Sequence, residues 1–154
     1  MYSFEHELNK LLVETYRSII KVEEYTIKNS KAMDLSISEM HLLEAVSKRE
    51  EGLTISDIAQ DLNITLPSVT IAINKLSNKG YVQKIKDTKD GRKVNVVLTK
   101  TGRKINIAHQ YFHELMTKNI SKEFSKEERE VLLVAITKLN DFFGSKAKEL
   151  EKTK

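Results

Sequence analysis

The sequence predicts a mainly helical chain with one β-hairpin set between its fourth and fifth helices. Three observations lead there. Glycine and proline are scarce, five and one among 154 residues, so long helices run with few breaks. Capping boxes, a hydroxyl residue followed three positions later by an acidic one, begin at Ser36, Thr54 and Ser125, and each marks a helix start. From Tyr81 onward the apolar spacing drops to a period of two, that of a strand.

Taken in order, Glu5 to about Lys31 places Leu8, Leu11, Leu12, Thr15, Ile19, Val22 and Ile27 at helical spacing. A helix of that length needs a partner over most of its course. Ser36-Ile37-Ser38-Glu39 opens a second helix, which carries Ile37, Met40, Leu43 and Val46 inward and stops near Glu51-Gly52. Thr54-Ile55-Ser56-Asp57 opens a short third helix, ending at about Leu62. The fourth runs from about Leu66 to Lys79 and stops at Gly80, which accepts a left-handed conformation. Pro67 fits its first turn, where a missing amide hydrogen costs nothing.

Tyr81, Gln83 and Ile85 then alternate with Val82, Lys84 and Lys86. After the polar stretch from Asp87 to Lys93, alternation resumes with Val94, Val96 and Leu98 on one face. Two such runs around Asp90-Gly91 read as a hairpin with a mobile tip. Thr99 caps a fifth helix with Ile105, Ala108, Phe112 and Leu115 on one stripe. The box at Ser125 opens the last, which turns Val131, Leu132, Ala135, Leu139 and Phe142 inward before fading into a Lys/Glu tail.

Composition narrows the function classes. Cysteine is absent, which removes disulfides, thiolate catalysis and cysteine-ligated zinc. No run approaches the roughly 18 apolar residues of a membrane span. The opening MYSFEHELNK carries acidic residues where a signal peptide needs basic ones, so a cytoplasmic protein without membrane contact is expected. No nucleophile–base pair, phosphate-binding glycine loop or paired carboxylates point to an enzyme, and no cofactor is implied. Residues 53–104 hold ten Lys/Arg against four Asp/Glu, whereas residues 1–52 carry a net −3 and 105–154 a net +1. A basic middle between nearly balanced flanks suits a polyanion, because neutralising each phosphate releases counterions.

Residues 55–76 are the most informative. Ile58, Leu62, Ile64, Val69 and Ala72 have the spacing of two helices packed across a tight turn, and Ala59 is small where they approach. Asn63 stands where the turn calls for positive φ. Thr65, Leu66, Pro67, Ser68, Thr70, Ile71 and Asn74 are left facing out. Short hydroxyls and amides on such a face suit base edges and phosphates. Together with the hairpin this is a winged helix-turn-helix. Lys86, Lys89, Arg92 and Lys93 gather at the wing, where they can follow a phosphate strand or enter a narrow minor groove. Asp90, two residues before Arg92, is placed to hold the guanidinium.

Asp90-Gly91-Arg92, five residues, then Leu98-Thr99 resembles the D-x-R-x5-L-T wing signature of the MarR family of transcriptional regulators, and T-K-T-G from Thr99 to Gly102 matches its continuation. Ser68-Val69-Thr70 and Leu76 through Gly80 are similar to the family's recognition helix and its exit. The resemblance spans essentially the whole chain. It implies one MarR-type domain over 1–154, with dimerisation helices at 1–33 and 101–150 and a DNA-binding region at 36–100. It also implies a homodimer that binds an inverted-repeat operator in double-stranded DNA, as a repressor. Thr65, Ser68, Thr70, Asn74, Lys75, Lys86, Lys89, Arg92 and Lys93 are the expected DNA-binding residues, with Asp90 orienting the wing arginine. Many members carry arginine where this chain has Ile71, which shifts base readout to other residues.

A narrower resemblance lies in Asp34 to His41. Asp34-Leu35-Ser36-Ile37-Ser38-Glu39-Met40-His41 resembles the I-S-x-x-E-M-H opening of the fatty-acid-biosynthesis repressors of low-GC Gram-positive bacteria, and His109 and His113 also match that branch. That branch implies long-chain acyl-acyl carrier protein as corepressor, with Met40, His41, His109 and His113 as candidate effector residues. Two other signals compete. His109 and His113 have the i, i+4 spacing of a shared metal ion, which would make zinc the effector. Small aromatic ligands are common elsewhere in the family. A further class is a winged-helix protein-docking module that never touches DNA.

Overall fold

The computed structural model describes residues 3–30, 34–87 and 90–151. Its elements are α1 (Phe4–Asn29), α2 (Ile37–Ser47), α3 (Ile55–Leu62), α4 (Leu66–Asn78), β1 (Val82–Lys86), β2 (Val94–Leu98), α5 (Lys100–Lys122) and α6 (Lys126–Glu151). The chain divides into two compact units, residues 1–108 and 109–154. The order and the single hairpin agree with the expected winged helix-turn-helix.

In the first unit, caps set the helix starts. Ser36 Oγ accepts the Glu39 amide at 3.2 Å while Glu39 Oε2 accepts the Ser36 amide at 2.8 Å. Thr54 and Asp57 repeat the exchange, both bonds at 3.1 Å. Asn63 ends α3 at φ 52°, the left-handed turn conformation expected of it. At the exit of α4, Gly80 has φ 80°, its amide bonds Ser77 O at 3.0 Å, and the Tyr81 amide bonds Leu76 O at 3.0 Å. This pair of bonds is a Schellman motif, which satisfies the last carbonyls and turns the chain into the wing.

The core gathers Met40, Leu43, Val46, Ile58, Val69, Ile73, Leu76, Val82 and Val96, all buried. It ties α2, α3 and α4 to the hairpin. β1 and β2 pair antiparallel from Val82↔Leu98 to Lys86↔Val94. Leu53 adds a one-residue third strand, exchanging backbone bonds with Val96 at 2.8 and 3.2 Å.

Two sequence expectations need correction here. α2 ends at Ser47 rather than near Gly52, because the backbone of Leu53 is drawn into the sheet. β2 does not alternate as expected: Val94 is exposed, whereas Asn95, Val96, Val97 and Leu98 are all buried. With β1 on one edge, Leu53 on the other and α2 packed against it, β2 is a central strand. Asn95 and Val97, which alternate with Val96, are covered by the chain at Glu51 and Gly52: Asn95 Nδ2 bonds Glu51 O at 3.1 Å, and a Cβ at Gly52 would stand 2.7 Å from Val97 Cγ1.

α5 begins on a crowded joint. The Thr99 amide bonds Tyr81 O at 3.0 Å, and Thr99 Oγ bonds Gly80 O at 2.7 Å while capping the Gly102 amide at 3.1 Å. A Cβ at Gly102 would stand 2.0 Å from Tyr81 O, so only glycine fits. Within α1, Ile27 is buried but Leu11, Ile19 and Val22 stay exposed.

The second unit holds the later turns of α5 and all of α6. The box expected at Ser125 is present, with Glu128 Oε2 on the Ser125 amide at 2.7 Å and Ser125 Oγ on the Glu128 amide at 3.2 Å. Val131, Ala135 and Phe142, expected to turn inward, are exposed, as are Leu133, Val134, Ile136 and Phe143, while Leu132 and Leu139 are half-buried: the apolar stripe of α6 is not covered within this chain. No helix among the described residues is long and apolar enough to cross a membrane.

Candidate nucleic-acid interface

α4 buries Val69, Ile73 and Leu76, spaced four and three apart, against the core. The opposite face therefore carries Leu66, Pro67, Ser68, Ile71, Asn74 and Lys75 into solvent. Thr65 is the N-cap, its hydroxyl 2.8 Å from Ser68 Oγ and accepting the Ser68 amide at 3.4 Å. Thr70 is half-buried and donates its hydroxyl to Leu66 O at 2.9 Å, which leaves its oxygen lone pairs and its methyl group for any other contact. Asn74 Oδ1 accepts Lys84 Nζ from β1 at 2.7 Å. An ammonium can only donate, so the amide turns its oxygen to Lys84 and its NH2 away.

Lys75 is held as well: its Nζ lies 3.1 Å from Glu39 Oε1. Glu39 is buried at the start of α2, and it also takes Lys79 Nζ at 3.1 and 3.2 Å. Burial pushes the Glu39 carboxyl up. Hydrogen bonds from the Ser36 amide, Lys79 and Lys75 outweigh that, and its pKa lies below the ordinary 4.5. The sequence reading placed Glu39 in a capping box and missed this second role.

On the wing, Arg92 is almost fully exposed, and both its amide and Nε bond Asp90 Oδ1 at 3.2 Å. Asp90 is thus in contact with the arginine it was expected to hold. Asp90 is itself fixed, its amide bonding Asp87 Oδ1 at 2.9 Å. Asp87 Oδ2 accepts Asn95 Nδ2 at 3.1 Å, and the same Nδ2 lies 3.1 Å from Glu51 O. A chain of hydrogen bonds therefore runs from the loop after α2 to the wing arginine. Asn95 is a polar residue next to the expected apolar face of Val94, Val96 and Leu98, and its burial rests on Glu51 and Asp87, partners that no local pattern marks. Lys86 and Lys93 are exposed beside Arg92, and Lys89 lies outside the described residues.

The effector candidates lie on α2 and α5. Met40 is fully buried in the core beside Leu43 and Val46. His41 is half-exposed on α2, its Nε2 3.3 Å from Glu23 Oε1 on α1. On α5, the His109 and His113 rings meet edge to face with centroids 4.4 Å apart, one helical turn along the chain.

Comparison with known proteins fits this geometry. The MarR family model matches residues 33–93. The transcriptional regulator AdcR of Streptococcus pneumoniae serotype 2 is 33% identical over 108 residues, 68% of this chain and 73% of that protein. The crystal structure of Streptococcus pneumoniae FabT in complex with DNA superposes with a TM-score of 0.87 at 32% identity, covering 92% of this chain and 98% of FabT. The S. aureus MepR–DNA complex has a TM-score of 0.73 at 23% identity over 92% of this chain and 99% of that one, a likeness that speaks for the fold. The docking module without DNA, weighed from the sequence, gives way to these relatives. On that likeness the chain belongs to the MarR family of DNA-binding transcriptional regulators and is not an enzyme.

Proposed function

We propose that this regulator is a homodimeric repressor of fatty acid biosynthesis genes. It binds an inverted-repeat operator, with long-chain acyl-acyl carrier protein as corepressor. The supporting observation is the run Asp34 to His41, which resembles the fatty-acid-biosynthesis repressors, in a chain that follows FabT over 92% of its length. Exposed apolar side chains on α1 and α6 favour a twofold mate. The net +6 of residues 53–104 suits both the operator and an acidic carrier.

The energetic demand is modest. A corepressor that binds the DNA-competent shape about 1.4 kcal/mol better raises operator affinity tenfold. Burying two more methylenes in that shape supplies it, at roughly 0.8 kcal/mol each. Operator titrations with long-chain acyl-carrier, unacylated carrier, zinc and chelator in parallel test the proposal. The acylated carrier is expected to tighten binding about tenfold, and the free carrier to do little. A second reading, zinc as effector, draws on the His109–His113 pair. It replaces the first if the acyl-carrier is silent and zinc raises affinity severalfold.

A further inference from the structure

We propose that Ile71 is a specificity-determining residue: its side chain reads a thymine by packing against the 5-methyl group in the major groove. The proposal rests on α4 being the groove-reading helix, and it changes the part that Ile71 was expected to play.

Placement is the first ground. Ile71 is 70% exposed, more than Leu66 at 52%, although both lie on a helix that buries its other large aliphatics completely. It stands one turn beyond Pro67 and Ser68 and one turn before Asn74 and Lys75. These spacings put it in the middle of the outward stripe.

The state of its neighbours is the second ground. The hydroxyls of Thr65 and Ser68 face each other, Thr70 donates to Leu66 O, Asn74 Oδ1 holds Lys84 and Lys75 holds Glu39. The polar groups around Ile71 thus meet DNA with part of their bonding capacity already used. The most prominent group left on the stripe is aliphatic.

An aliphatic side chain has one match among the major-groove edges, the thymine methyl. Set against guanine N7 and O6 or the cytosine amino group, it would strip water from polar atoms and return no hydrogen bond. Ile71 therefore both favours thymine and disfavours a G·C pair at the same position.

The test deletes the methyl group from the DNA. Duplexes that bind the full chain are enriched from a random library, and their thymines are replaced singly by deoxyuridine, which keeps every hydrogen bond. Wild-type protein should lose about fourfold in affinity at one or two thymine positions, the roughly 0.8 kcal/mol of one buried carbon. Ile71→Ala, a surface change checked for fold by circular dichroism, should bind the thymine and uracil versions of those positions alike. The proposal is overturned if no uracil substitution affects the wild type, or if Ile71→Ala shows the same uracil losses. Asn74→Ala separates this from the underlying reading. If Asn74→Ala weakens binding while uracil is silent, only the Ile71 assignment falls. If Asn74→Ala and Ile71→Ala both bind like wild type, α4 is not the reader and both readings fall.

Discussion

Lys79 Nζ closes on the Glu39 carboxylate at 3.1 and 3.2 Å while donating to the Asp34 backbone oxygen at 2.7 Å. Lys79 is the C-cap of α4, and Glu39 sits in the first turn of α2. One buried carboxylate therefore caps one helix and anchors the end of another, with Lys75 as a second cation from α4. Both ends of the arrangement suit the helix dipoles, an anion at an N-terminus and cations at a C-terminus.

Glu39→Gln should destabilise the protein by about 1–3 kcal/mol at neutral pH, since it removes a charged partner from a buried site. The folded pKa of Glu39 is depressed, so its contribution is present above the unfolded value of 4.5 and is lost as pH falls through the folded value. Urea denaturation of both proteins from pH 7 downward should show the gap constant to about pH 5, then closing. A gap that widens in acid would contradict the pairing.

Arg92→Ala should weaken operator binding by about 1–3 kcal/mol if the arginine enters a groove. Asp90→Ala should lose part of that, because Arg92 keeps its charge but not the carboxylate that orients it at 3.2 Å. Combining the two should cost little beyond Arg92→Ala alone, which fluorescence anisotropy at fixed salt can measure. Additive losses would mean that Asp90 does not act through Arg92.

The chain should be a dimer at low micromolar concentration. α1 leaves Leu11, Tyr16, Ile19, Val22 and Tyr25 exposed, and α6 leaves Val131, Leu133, Phe142 and Phe143 exposed. Faces of that extent are covered in stable proteins. Sedimentation equilibrium showing a folded monomer would refute this.

Gly52→Ala should be severe, by about 3 kcal/mol or more. Its φ is 87°, and an added Cβ would stand 2.5 Å from Val96 O and 2.7 Å from Val97 Cγ1. Gly91→Ala, with open space around it, should stay within about 0.5 kcal/mol of wild type by thermal unfolding.

What the sequence disclosed was chemistry confined to a few neighbouring residues. The boxes at Ser36, Thr54 and Ser125, the left-handed Asn63 and the Asp90–Arg92 pair each involve partners two or three positions apart, or a single backbone conformation. What it hid depended on distant partners. Glu39 meets Lys79 across 40 positions, and Asn95 meets Glu51 O across 44. The early end of α2 and the burial of Asn95, Val96 and Val97 both involve the stretch from Glu51 to Leu53, which packs and pairs along β2. No periodicity announces a strand one residue long.

Gly102 has a mechanical consequence. With Tyr81 O filling the space where its side chain would be, the base of α5 and the exit of α4 share a joint without slack. A displacement of the first turn of α5 must therefore be matched by the Tyr81 backbone, which follows α4 through Gly80. Movement at this joint is expected to leave the helix content unchanged, since both elements keep their own hydrogen bonds.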